Sequence, residues 1–174
     1  MKNLIKITAF IGMFAYLGLA QAADVFSDGW MKGFMAEWNK NVDGIVKPLA
    51  NLDNPFTACI AYGFYADDAP KGVIKVVKGE AVAAGAYGDK TIGCDSLNWD
   101  LRAKPASWDK WIAAGKIGKW DMMKAARWGG LKFKIGNYSA MMKDPSMMGP
   151  FMKTFGLMGQ VKVAPATENP TAAK

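Results

Sequence analysis

Histidine is missing from all 174 residues. That removes Ser–His–Asp and Cys–His catalytic arrangements and every zinc site built on imidazole. Cysteine is nearly missing too, with only Cys59 and Cys94. Two thiolates cannot fill a structural zinc shell, so no metal site is expected. There is no P-loop spacing, no complete Gly-x-Gly-x-x-Gly and, at Asp89-Lys90, no calcium-loop pattern. The acidic pairs Asp67-Asp68 and Asp95…Asp100 read as solvated acids of turns and strand ends. With so few groups for proton transfer, the chain reads as a non-enzyme with no cofactor. Beyond the N-terminus no segment is apolar enough to span a bilayer.

What is abundant is methionine, placed unevenly. Eight of the twelve methionines fall between Trp120 and Met158 (Met122, Met123, Met141, Met142, Met147, Met148, Met152 and Met158), among Trp120, Trp128, Phe133, Phe151 and Phe155. Methionine is unbranched and polarizable, so a wall rich in it adapts to apolar partners of varied shape. The plainer reading is gap-filling in an ordinary core.

The first residues have the form of a targeting segment. Lys2 and Lys6 precede an apolar run from Ile7 to Leu19, and Ala20-Gln21-Ala22 fits a cleavage site. Residues 1–22 are therefore expected to be a signal peptide, and the mature chain periplasmic or secreted. By length residues 23–159 are one domain. Residues 160–174, rich in Ala, Pro, Thr and Lys, read as a flexible tail. In an oxidising compartment Cys59 and Cys94 either pair or stay as buried thiols, and both readings remain open.

The net charge of +7 is also uneven. Residues 102–143 carry ten Lys and Arg against Asp109 and Asp121, whereas residues 23–101 carry eleven acids against seven lysines. A dense one-signed region attracts anions. Lys116, Lys119, Arg127, Lys132 and Lys134 are thus expected to meet an anionic membrane surface, or an acidic partner protein. Basic and aromatic residues adjoin at Lys110-Trp111, Lys119-Trp120, Arg127-Trp128 and Lys132-Phe133-Lys134, a mixture seen in nucleic-acid binders. The periodicity, however, turns the aromatics inward and the lysines outward, and export removes the partner, so no nucleic acid is expected.

Hydrophobic spacing places a helix over Phe26–Trp38, opened by Ser27 or Asp28. Strands follow over Phe56–Tyr65, Gly72–Lys78 and Ala81–Tyr87, then over Leu97–Arg102, which alternates apolar and polar side chains. A helix opens at Pro105 or Ser107 and closes at Gly115. Trp120–Arg127 is a short helix. Leu131, Phe133 and Ile135 alternate with two lysines in a fifth strand, and Asn137–Lys143 and Met147–Met158 are closing helices. The sum is an α+β fold, a five-stranded mainly antiparallel sheet covered by helices on one side. The small residues Ala81, Ala83, Ala84, Gly85 and Ala86 of the third strand either let a helix pack close or leave a hollow.

From Gly115 to Lys143 the chain resembles a known family. Trp120-Asp121-Met122-Met123-Lys124-Ala125-Ala126 leads through Gly129-Gly130 to Leu131-Lys132-Phe133-Lys134-Ile135-Gly136-Asn137 and the apolar helix Tyr138-Ser139-Ala140-Met141-Met142. This is similar to the closing half of the sterol carrier protein type two domain. It departs from familiar members in its export-type start and its density of Trp and Met. The resemblance implies an apolar tunnel between sheet and helices, holding a sterol, hopanoid, quinone or fatty-acyl chain without catalysis. The expected lining is Trp108, Trp111, Ile112, Met122, Met123, Ala126, Met141, Met142, Met148, Phe151, Met152 and Phe155, with the last helix as lid. The competing expectation is an accessory subunit of an exported enzyme, docked through the basic half.

Overall fold

A computed structural model of the protein describes residues 25–128 and 130–162. The segment 1–22, expected to be a signal peptide, and the residues beyond Lys162 lie outside the described residues. Five strands, β1 (Ala58–Phe64), β2 (Gly72–Val77), β3 (Glu80–Ala86), β4 (Trp99–Ala103) and β5 (Leu131–Ile135), form one sheet in the order β3-β2-β1-β4-β5. Every neighbouring pair is antiparallel except β1–β4, which is parallel. The expected α+β architecture is present.

The local signals explain the elements. Lys78 and Gly79 both have positive φ and join Val77 to its partner Glu80, the two-residue turn whose twist suits a hairpin. Ser27 caps α1 (Asp28–Lys40) by accepting the Trp30 amide hydrogen. A single π-helical turn, Val42–Val46, leads to α2 (Lys47–Ala50). Pro105 sits in the first turn of α3 (Pro105–Ala114), and left-handed Gly115 ends it. Helices α4 (Lys119–Arg127), α5 (Tyr138–Lys143) and α6 (Pro145–Met158) complete the chain. Asp144 ends α5 and caps α6.

One sheet face carries Ile60 and Tyr62, Ile74 and Val76, Leu101 and Ala103, and Leu131, all buried in the main core beneath the helices. Its centre is aromatic. Phe26, Trp30, Phe34, Tyr62, Trp108, Trp111 and Phe155 meet at centroid separations of 5.1–6.3 Å, in the edge and offset geometries that aromatic quadrupoles favour. The buried indoles place their N–H groups. Trp108 donates to the Gly63 carbonyl at 2.9 Å and Trp38 to the Gly79 carbonyl at 3.0 Å. The small residues of β3 let α1 pack close. Asn39 accepts the Ala81 amide hydrogen at 2.9 Å and donates to the Ala81 carbonyl at 2.8 Å. The hollow considered for β3 is therefore not there.

The opposite sheet face differs from expectation. Asp100 and Arg102 were read as the wet side of a half-buried strand, yet they are 4% and 2% exposed. The guanidinium grips the Asp100 carboxylate with Nε and Nη2 and donates from Nη1 to the Asp67 carbonyl at 2.9 Å. The cause is the β1–β2 connection, which folds over the sheet. Alternation along β4 records two faces but not what covers each. The 88–98 connection covers the same face further along. Ile92 is buried there, Asn98 bonds the Cys59 backbone in both directions, and Cys59 and Cys94 form a disulfide with Cα atoms 5.8 Å apart. Val161, assigned to a loose tail, packs in the core, where the neighbouring Gly33 of α1 leaves room for it.

Candidate functional site

The sheet–helix interface holds an apolar hollow, and it lies under α5 and α6. Its floor is Ile60 and Tyr62 of β1 with Trp99 and Leu101 of β4. Trp38, Leu49 and Phe56 wall one side, and Met141, Met147, Pro150, Phe151 and Thr154 form the roof. The local sequence explains the roof. Pro150, inside α6, has no amide hydrogen for the Ser146 carbonyl, which loosens the helix there. Thr154 turns its hydroxyl back to the Phe151 carbonyl at 2.7 Å, so it presents little polarity to the hollow. Burial pushes the Tyr62 phenol above its ordinary pKa, so it stays neutral at any physiological pH.

The hollow has a volume of about 30 Å³. That accommodates roughly one water-sized body, whereas sites for drug-sized ligands run to about 300–1,000 Å³. The structure therefore shows a narrow apolar seam, and the expected tunnel is not seen. A polar groove of about 500 Å³ adjoins it, lined by the 52–57 segment together with Asp144, Ser146 and Met147. Phe56 and Met147 border both spaces, so these two side chains separate the hollow from the groove. Ser146 lowers the pKa of the Asp144 carboxyl through its hydroxyl and its backbone amide, which keeps a negative charge at the groove above mildly acidic pH.

The twelve residues expected to line a tunnel are dispersed. Met141 and Phe151 reach the hollow. Trp108, Trp111, Met122 and Phe155 are fully packed core; Phe26 and Tyr62 close on Trp108, and Trp108, Trp111 and Phe155 fill the space beside one another. Ile112, Met142 and Met152 lie half-buried against that core. Met148 and Ala126 are half-buried, and Met123 points to water at 41% exposure. The expected lining missed Trp38, Leu49, Phe56, Ile60, Tyr62, Trp99, Leu101, Met147, Pro150 and Thr154. Alternation puts Ile60 and Tyr62 on one face of β1 and Trp99 and Leu101 on one face of β4, and that was their available signal; the pairing of the two strands makes it a common face.

The basic residues Lys116, Lys119, Arg127, Lys132 and Lys134 are all exposed. Lys132 lies 4.3 Å from the ring centroid of Tyr65, a cation–π contact. The aromatics beside them do not all turn inward. Trp120 is 73% and Trp128 70% exposed. Among the described residues no helix is long and apolar enough to cross a membrane.

Two solved structures share this architecture. The crystal structure of sterol carrier protein 2 superposes with a TM-score of 0.59 at 17% identity, covering 79% of this chain and 99% of that one. The solution structure of a conserved hypothetical protein from Thermus thermophilus, described as a possible sterol carrier protein, superposes with a TM-score of 0.55 at 16% identity, covering 81% and 92%. No family model matches the chain, and no curated protein matches it in sequence. The class is thus defined by its architecture: the chain has the sterol carrier protein 2 fold.

Proposed function

We propose that this protein binds and carries a lipid (a sterol, hopanoid, quinone or fatty-acyl chain) beneath α5 and α6, without transforming it, in the periplasm or outside the cell. The observation that carries this reading is the apolar seam between the sheet and the Met-rich roof, in a fold shared with sterol carrier protein 2. At about 30 Å³ the seam admits no lipid as it stands, so binding requires the roof to move. Two features favour that movement. The roof is made of the short α5 and of α6, which a proline interrupts, and its unbranched methionine side chains repack at low cost. The way in runs through the polar groove and between Phe56 and Met147. Affinity comes from apolar ligand surface at about 25 cal/mol per Å² buried, less the cost of association and of opening the roof. The export-type N-terminus and the Cys59–Cys94 pair support an oxidising compartment.

The test is native mass spectrometry and solvent extraction of the protein recovered from the exported fraction. A co-purifying lipid, or a rise in melting temperature on adding one, is the expected result. Met147→Trp, which enlarges the plug beside Phe56, should lower lipid occupancy while the protein stays folded. Clean apo-protein with no thermal response to any of the four lipid classes refutes the proposal.

A further inference from the structure

Seven tryptophans are present in the chain. Trp30, Trp38, Trp108 and Trp111 are buried and Trp99 is half-buried, while Trp120 and Trp128 stand in water. Trp120 lies in the first turn of α4 and Trp128 is its C-cap residue, and the helix anchors itself to the core through Met122. At 100° per residue, Trp120, Lys124 and Arg127 fall on the side opposite Met122, and Trp128 follows Lys124 by one helical turn. Met123 lies beside them, 41% exposed. Residues 116–134 hold six Lys and Arg against the single acid Asp121. Among the described residues no ion pair engages Lys116, Lys119, Lys124 or Arg127. The outward face of α4 is thus two indoles set among unpaired cations.

We propose that this face docks the protein onto an anionic bilayer surface, with Trp120 and Trp128 seated at headgroup level and the cations on lipid phosphates. Indoles prefer that depth because one edge is apolar and the N–H is wet. At nine residues α4 is far too short to span a bilayer, and Trp together with Lys and Arg are the residues that anchor at its interface. The chemistry suits lipid better than other anions. Single-stranded nucleic acid is held in a basic groove that tracks its backbone, and neither the hollow nor the polar groove touches α4. A protein interface would deplete charge at its centre, whereas here charge alternates with tryptophan. None of these residues lines the hollow, so the proposal stands or falls separately from lipid binding beneath α6.

The test is co-sedimentation of the full chain, recovered as cells leave it, with vesicles of phosphatidylglycerol and phosphatidylcholine in equal parts, and with phosphatidylcholine alone. Any N-terminal apolar segment is then the same in every variant. Partition onto the anionic vesicles is expected, weakening as salt rises from about 0.05 to about 0.5 M and the Debye length shortens. Each cation near such a surface contributes about 1 kcal/mol, roughly fivefold. Lys119→Glu/Lys124→Glu/Arg127→Glu should therefore lower partition by about a hundredfold or more. Trp120→Ser/Trp128→Ser should lower it about tenfold. All these side chains are exposed, so an unchanged melting temperature verifies that the variants fold. Equal binding to both vesicle types, or variants that bind like the parent, overturns the proposal. So does binding of a single-stranded oligonucleotide that the same variants abolish while vesicle binding persists.

Discussion

Reduction of Cys59–Cys94 is the perturbation whose size the structure lets one calculate. The bond spans 35 positions of sequence. Cutting it frees the unfolded chain by an entropy worth about 4 kcal/mol at room temperature in the loop-closure model. The folded state should change little, because the 88–98 connection is held independently. Asn98 bonds the Cys59 backbone through its side chain at 2.8 Å and its amide at 3.0 Å, and Lys75 Nζ donates to the Gly93 carbonyl at 3.0 Å. The cost therefore falls almost wholly on the unfolded side of the equilibrium. For a domain of this size it corresponds to a fall in Tm of about 10–15 °C. The assay is thermal unfolding followed by circular dichroism on oxidised protein, on protein held in a phosphine reductant, and on Cys59→Ala/Cys94→Ala. The last two should agree. A drop below about 3 °C on reduction, or two free thiols in the protein as recovered from cells, would refute the reasoning and remove one support for the proposed oxidising compartment.

The buried pair on β4 should behave asymmetrically. Arg102→Met strands the Asp100 carboxylate and should cost about 3–5 kcal/mol in urea unfolding, whereas Asp100→Leu/Arg102→Met recovers most of that loss. A single-variant cost under about 1 kcal/mol would show that water reaches the pair. Trp108→Phe leaves the Gly63 carbonyl without its indole partner and should cost about 1–3 kcal/mol, read in the same assay. The pH response follows from which groups titrate. With no histidine, no side chain has an ordinary pKa near neutrality, so Tm should be flat between about pH 5.5 and 8. Thr91 and Ser146 hold the Asp89 and Asp144 carboxyls below the usual carboxylate range. Their stabilising effect is complete above the unfolded carboxylate pKa of about 4 and is lost as pH falls through the lower folded values. Asp144→Asn keeps a cap acceptor on α6 but gives up the charge, so it should lower the neutral plateau slightly and leave less to lose in acid. A sloping Tm between about pH 6 and 8 contradicts this account.

Local signals were legible to within a few residues. The alternation over Leu97–Arg102 became β4, which starts two residues later and ends one later, and Pro105 and Gly115 bound α3 as expected. Capping and alternation depend on neighbours a few positions away, so they survive in the linear chain. The short helix α4 was harder. Apolar residues at 120, 122, 123, 125, 126 and 128 run around its whole circumference, so no stripe marks the buried side, and only packing by Met122 decides that Trp120 faces water. The methionines misled for a related reason. Abundance marked the roof, but which side chains meet a hollow depends on what fills the space opposite them. Beside Trp108 and Phe155 that space is filled by Phe26 and Trp111. Beside Phe151 it is not.

By itself the sequence determined the chemistry available and the local form of the chain: no imidazole, a methionine-rich closing third, hairpins and caps where short-range sterics demand them. Only the tertiary structure decided that β1 pairs in parallel with β4 across two intervening strands, that connecting loops bury Asp100 and Arg102, and that the hollow lies under α6 rather than against β3. These outcomes depend on which surfaces meet across long stretches of chain. Periodicity tells a residue which side of its own element it occupies, and it carries no record of what lies against that side.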